Sequence, residues 1–464
     1  MNRPFVVPTL IFLGAVLMIP CSTGPLWFDE IFSFQWAKSA KTPWQLLELY
    51  RHDNNHPLNS LWMMLVGEDR PPWAYRLLSI LSGILSLILI HRIAQRLSAR
   101  FAWIPLLLAA TSFPLVLYAS EARGYAPAIA CLLGAYLAFS GTGCLAWRVP
   151  LFWALCTLAV LAHGTALIIL AALGAAALLN GILEKTPPLV VFSRAMLWFA
   201  IPLLVASAHW WFFLRQMIIA GGPEYGIPTV VSHFFGYALG LPGAASGSPM
   251  LAAAGLALLA TALLFGRFPD AFTRSFAAGA TVIFPCLSLF ASDTTYLYFR
   301  YFLVCLPFAY LLAAPLAERI AAWGRIPMAV AALVLTAVVA GQAPRLWILA
   351  TQGRGDYLAA LRVIASDSST PPTIVSNNDL QVGLVLGYLR SRHPELEPLR
   401  FQSQKSRTES APGWILYATQ EDPPALPQPA IDLNGRRYAA VAKHLSAPVS
   451  GAHWALYTIQ PNTP

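Results

Sequence analysis

A glutamate and an arginine stand two residues apart in Tyr118-Ala119-Ser120-Glu121-Ala122-Arg123-Gly124-Tyr125, between two apolar runs. Charge at membrane depth is expensive, so such a pair at the edge of an apolar run points to a use. The guanidinium fork of Arg123 suits phosphate oxygens, with Glu121 orienting it or binding a hydroxyl. An interface ion pair that snorkels to water explains the same letters. Tyr118 and Tyr125 fit a headgroup belt under either reading. A second cluster, Trp27-Phe28-Asp29-Glu30, follows the first apolar run. A carboxylate there, partly desolvated by aromatic and lipid neighbours, could take a proton from a hydroxyl or amine. The alternative is a solvated acidic pair marking the end of a span. The third cluster is His52-Asp53-Asn54-Asn55-His56-Pro57. His52, Asp53 and His56 could hold a divalent cation, or His56 a phosphate. A turn that starts a helix at Pro57 needs neither. Arg76 and Arg300-Tyr301 begin later apolar runs on the same side, so three arginines face one plane as a phosphate site would require. His163, His209 and His233 are read as hydrogen-bonded structural residues outside the site.

The elements that must position these groups are membrane helices. The chain has 464 residues, 57% hydrophobic and only 11% charged. Apolar runs near 5–20, 77–91, 101–119, 124–140, 150–163, 165–182, 195–213, 249–266, 275–291, 300–316 and 327–344 predict about 11 spans. The 150–182 stretch is either a hairpin at His163-Gly164 or one tilted helix with a re-entrant piece. With the N-terminus inside, the inner connections carry eleven basic residues against Glu184, Asp270 and Glu318, the positive-inside pattern. The basic residues are scattered singly, which argues against nucleic acid as a partner. The six cysteines lie in or beside the spans, so no disulfide framework or paired-cysteine metal site is expected. The first apolar run is read as an anchor rather than a cleaved leader.

Three polar segments face outward. Residues 21–76 form a loop with short amphipathic helices at the interface. Residues 214–248 contain Gly221-Gly222-Pro223-Glu224-Tyr225-Gly226-Ile227-Pro228, whose Gly/Pro density fits a lid. Residues 350–464 read as a small α/β domain, with helices at 356–365 and 379–391 and strands at 373–376, 414–418, 438–442 and 454–459. The fold class is thus an α-helical polytopic membrane domain (1–349) with a small α/β domain behind it.

The order of these motifs resembles a known family. An acidic pair after the first span is followed by His-Pro and an amphipathic helix, then by Tyr75-Arg76-Leu77-Leu78-Ser79. Ser112-Phe113-Pro114-Leu115 and the Glu121/Arg123 motif come next, and Phe299-Arg300-Tyr301-Phe302 matches more weakly. This pattern is similar to the C-type membrane glycosyltransferases that use polyprenyl-phosphate sugars, including protein mannosyltransferases and aminoarabinose lipid A transferases. The resemblance is dense over residues 20–140 and architectural for the tail. His-Pro-Leu-Asn at 56–59 departs from the commonest pattern in that loop.

The resemblance implies inverting transfer from a lipid-phosphate donor on the extracytoplasmic face of a bacterial inner membrane. It places Asp29 as catalytic base, Glu30 as its acidic partner, and Arg123 on the lipid phosphate or organising the site. Arg76 and Arg300 would assist on the leaving phosphate. The acceptor expected is an envelope lipid or glycan, with lipid A or lipopolysaccharide core favoured. A protein acceptor within the same family and a lipid or sugar transporter are the alternatives. A transporter would place ionisable residues near the bilayer midplane in repeated halves, and neither pattern is seen here.

Overall fold

A computed structural model of the chain describes residues 5–219, 224–242, 247–291, 296–367, 372–403, 412–420, 429–433 and 435–460. Parts of the expected lid at 214–248, residues 220–223 and 243–246, lie outside them. Among the described residues seven helical segments are long and apolar enough to cross a membrane, including Pro72–Leu97, Leu145–Ala162, Ala166–Leu183, Pro188–Gln216 and Phe299–Trp323. The sequence predicted about 11. The difference lies in runs that fold shorter, such as Val6–Met18 and Tyr125–Ser140, or that break. The 101–119 run splits into Trp103–Thr111 and Phe113–Ala119. Pro114 cannot donate into a continuous ladder, and the Ser112 hydroxyl caps the second piece through the Leu115 N–H. The 150–182 stretch is a hairpin, turning at His163. Pro57, Pro72, Pro188 and Pro249 each occupy a first helical turn, where a missing N–H costs nothing.

The first outer loop folds into the helices Phe28–Ser39 and Pro57–Val66 with a short turn of helix, Gln45–Glu48, between them. Behind the last long helix, Arg325–Gln352, the tail forms a six-stranded sheet. Its strands are β1 (Thr373–Ser376), β2 (Arg400–Phe401), β3 (Trp414–Thr419), β4 (Ala430–Leu433), β5 (Arg436–His444) and β6 (His453–Ile459), in the order β2-β1-β3-β6-β5-β4. β1 runs parallel to β2 and β3, and the other pairs are antiparallel. Alternation along β3 sends Trp414, Leu416 and Ala418 toward the helices Tyr357–Ser366 and Asp379–Arg390, and Ile415 to the opposite face. Asp356 and Asn378 cap those two helices, accepting from the N–H groups of Ala359 and Gln381.

The tail is not a detached appendage. Ile31, Phe34 and Met63 of the first outer loop, and Tyr75, share one buried core with Leu386 and Leu389 of the tail helix. The Phe34 and Tyr388 rings meet edge-on with centroids 5.7 Å apart, and the Arg392 guanidinium lies 4.2 Å from the Tyr388 centroid. Burying a side chain such as Ile31 or Phe34 is worth roughly 1.5–3 kcal/mol. The helix that carries Asp29 and Glu30 is therefore clamped between the membrane domain and the tail.

Candidate active site

Asp29 and Glu30 occupy the first turn of Phe28–Ser39 and point in different directions. Glu30 is fully buried. Its Oε1 accepts Arg76 Nε at 2.7 Å and the Ala122 N–H at 2.8 Å, and its Oε2 accepts Arg76 Nη2 at 2.5 Å and the Trp27 N–H at 3.1 Å. The remaining Arg76 donors go to the carbonyls of Ser22, Gly24 and Pro25 at 2.6–2.9 Å. A guanidinium has five N–H bonds, and all five are spent. Arg76, expected on the leaving phosphate, has no donor left for one, and Glu30 faces protein on every side. Burial alone would raise the Glu30 carboxyl, but the Arg76 charge overrides it and holds the group below its ordinary range. This pair anchors the loop.

Asp29 keeps one oxygen available. Its Oδ2 accepts Arg123 Nη1 at 2.8 Å, while Oδ1 makes no hydrogen bond among the described residues. The backbone carbonyl of Asp29 is held by Asn54 Nδ2 at 2.8 Å and Ser33 Oγ at 3.1 Å, which fixes the turn that presents the carboxylate. Arg123 also donates from Nε to His56 Nε2 at 3.3 Å and lies 5.3 Å from the Tyr125 ring centroid. His56 must be neutral to accept that bond. Burial, then the nearby His163 and Arg123, hold it well below the ordinary histidine range.

The sequence pairs Glu121 with Arg123, and the structure separates them. Glu121 is buried and points the other way, where its Oε1 accepts Arg354 Nε at 3.1 Å and the Ser450 hydroxyl. Arg354 further donates to the carbonyls of Cys21 and Leu117 and to Ser120 Oγ. Burial lifts the Glu121 carboxyl above its ordinary range, with Arg354 and Arg123 opposing. Arg354 and Ser450 carry no local motif, so the sequence offered no signal for them. The segment between Glu121 and Arg123 is held by close approach to its neighbours. A Cβ on Gly124 would fall 1.7 Å from the Ala162 carbonyl oxygen. The Ala122 carbonyl accepts Asn59 Nδ2 at 2.5 Å.

Tyr118 and Tyr125 are 1% and 0% exposed, so neither is a headgroup belt residue. Their rings pack 4.5 Å apart, and both hydroxyls lack a partner among the described residues. Arg300 stands nearby with no ion pair and its Nε unpartnered among the described residues. Its guanidinium lies 4.3 Å from the Tyr298 ring centroid and 5.8 Å from that of Tyr301. Arg123 and Arg300 are thus the cations that share the neighbourhood of Asp29.

His163 and His209, set aside at the level of sequence, belong here. His163 stacks on His56 with centroids 4.8 Å apart and packs 4.2 Å from Tyr125. Burial holds its ring down to about 3. With His56, Asp53, His209 and Tyr301 they line a cavity of about 220 Å³. A helix end gave no sign of this, because what matters is which helix end it faces. His52, Asp53 and His56 do not assemble as a cation site. The His52 ring is 2.9 Å from Asp53 and stacks on Phe32, Asp53 also accepts the Tyr301 hydroxyl at 3.0 Å, and His56 is turned to Arg123. Burial would raise Asp53, but the His52 and Tyr301 contacts and the Arg300 charge hold it below the ordinary carboxylate range. Among the described residues no three His, Cys, Asp or Glu side chains stand close enough to share a metal ion.

A polytopic helical domain, a first loop bearing the acidic pair and a tail sheet behind it make up an architecture also found among solved structures. The chain has the fold of ArnT from Cupriavidus metallidurans, solved in the apo state, with a TM-score of 0.55 at 13% identity over 98% of each chain. The same protein bound to undecaprenyl phosphate gives a TM-score of 0.53 at 14% identity, covering 100% of this chain and 99% of that one. ArnT is an aminoarabinose lipid A transferase of the C-type group, so the resemblance drawn from the motifs extends to the fold of the whole chain, tail included. At this identity the likeness is one of fold. Neither a family model nor a curated protein matches the sequence.

Proposed function

We propose that the chain is an inverting glycosyltransferase of the membrane. It takes a sugar from a polyprenyl-phosphate donor and moves it to an envelope lipid or glycan, lipid A or lipopolysaccharide core being favoured. The observation that carries this reading is Asp29: a carboxylate oriented by Arg123 through one oxygen, with the other oxygen free among the described residues and Arg300, which has no ion pair there, in the same neighbourhood. In the reaction, the acceptor oxygen or nitrogen bonds to the anomeric carbon as the bond to phosphate breaks. The electron pair leaves with the polyprenyl phosphate, and the acceptor proton passes to Asp29 Oδ1. Arg300 and the remaining N–H groups of Arg123 stabilise the charge that grows on the phosphate. Tyr118 and Tyr125 offer hydroxyls to the same oxygens. The neutral His56 keeps Arg123 aimed without adding charge.

The fold supports a polyprenyl carrier, since a protein of this architecture has been solved with undecaprenyl phosphate. Orientation with the N-terminus cytoplasmic and the tail on the outer face of the inner membrane follows from the distribution of basic residues. The test is mass spectrometry of envelope lipids and lipopolysaccharide from cells carrying the native chain, Asp29→Asn, or a deletion, at equal membrane levels of protein. Loss of one sugar-sized increment in both the deletion and Asp29→Asn upholds the reading and names the acceptor. An increment that survives Asp29→Asn removes Asp29 as base. A deletion that changes no envelope glycan overturns the envelope acceptor and turns the search to secreted proteins, then to transport.

A further inference from the structure

A cavity of about 570 Å³ opens at the other end of the membrane domain from Asp29. Arg96, on the last turn of Pro72–Leu97, lines it, and Arg76, which anchors the loop of the site, lies near the start of the same helix. Twenty residues of helix put the two about 30 Å apart. Four charged side chains line the cavity, Arg96, Arg194, Glu184 and Asp270, all of them exposed. Among the described residues no ion pair joins either arginine to either carboxylate. Arg96 donates to Ser140 Oγ at 3.0 Å and Glu184 accepts from Asn180 Nδ2 at 2.9 Å. Asp270 caps its own helix through one oxygen, accepting the Thr273 N–H at 2.6 Å, and its other oxygen is left over. Aromatic Phe139, Trp198 and Phe199 line it too, Phe139 packing against each of the other two, alongside polar Ser140, Asn180, Thr186 and Thr273.

We infer that this cavity seats the headgroup of a zwitterionic phospholipid with a primary ammonium. The phosphate lies toward Arg96 and Arg194 and the ammonium toward Glu184 and Asp270. A guanidinium takes phosphate oxygens through paired N–H donors. A primary ammonium supplies three N–H donors to carboxylates, which a quaternary ammonium cannot. An anionic headgroup would satisfy the arginines and be repelled by the carboxylates. The aromatic walls suit the start of the acyl chains. The inference stands apart from the transferase reading.

The test uses the purified full chain in a neutral detergent. Its thermal unfolding is followed while short-chain phosphatidylethanolamine, phosphatidylcholine or phosphatidylglycerol with identical acyl chains is added. The expected result is a saturable rise in Tm with phosphatidylethanolamine and weaker responses to the other two. Arg194→Gln and Glu184→Gln should each weaken the phosphatidylethanolamine response about tenfold in apparent affinity, the loss of one charge-assisted hydrogen bond, with the lipid-free Tm unchanged. Phosphatidylglycerol matching phosphatidylethanolamine would overturn the zwitterionic assignment. Equal responses to all three lipids, or variants that respond like the native chain, would show only general lipid packing and sink the site.

Discussion

At the scale of single residues, neighbours in sequence divide into one that holds the structure and one left free to react. Asp29 and Glu30 are adjacent, yet Glu30 has its oxygens committed to Arg76 and two backbone N–H groups, while Asp29 keeps Oδ1 free. Asp29→Asn should therefore cut transfer by about 10²–10⁴, the range for losing a general base, with little change in Tm. Arg76→Ala should act oppositely. It strands a buried carboxylate and should cost about 3–5 kcal/mol of stability, read as lower Tm and lower membrane yield. Arg300→Gln belongs with Asp29, because no ion pair depends on it among the described residues. Its turnover should fall about 10²-fold while its unfolding stays near native, as for loss of one donor to developing charge. Transfer kinetics with a purified polyprenyl-phosphate sugar separate these three variants.

At the scale of elements, the site depends on close approaches that leave no slack. The segment around Arg123 lies between the Ala162 end of one helix and the Pro57–Val66 helix, and Gly124 is the point of tightest contact. Gly124→Ala should push Arg123 away from Asp29 and lower both transfer and Tm, measurable in the same membranes. The helix boundaries show why much of this was readable. First-turn prolines and the Asp356 and Asn378 caps are local signals, and the tail helices and four of the six strands fall within a few residues of where periodicity put them, while β2 and β4 went unpredicted. The break at Ser112 is local too, yet an apolar run hides it, because hydrophobic length says nothing about continuity of the hydrogen-bond ladder.

At the scale of the whole molecule, Arg354 and Ser450 reach Glu121 across the boundary between membrane domain and tail, and the Phe34–Tyr388 contact repeats the link. The tail thus holds the loop that carries Asp29. The buried histidines add a pH dependence to this assembly. His56 and His163 are held below the ordinary 6.5, so the unfolded chain takes up protons below that pH before the folded one does. Their stabilising contribution is complete above 6.5 and is lost as pH falls through it. Glu30 has the same sign lower down, present above 4.5 and lost below. Glu121 has the opposite sign, since a raised carboxyl favours the fold most below 4.5 and less as pH climbs through its folded value. The Tm of the purified chain should fall between about pH 7.5 and about pH 5.5, and His163→Gln should flatten that fall; an unchanged slope in the variant would mean that other groups set it.

The sequence by itself determined the membrane class, the order of most elements, the tail domain and the short set of residues from which the proposed chemistry is drawn. These follow from composition, periodicity and capping, which act over a few residues. Tertiary structure alone decided the partners. Arg123 went to Asp29 and His56, Glu121 to Arg354, Arg76 to Glu30, and His163 into the cavity, with sequence separations of 94, 67, 233 and 46 for the first four contacts. A guanidinium or carboxylate has the same local signature whatever it pairs with. Which partner it meets is settled by how helices pack, and in a buried site that packing separates the groups held in place from those left free for substrate.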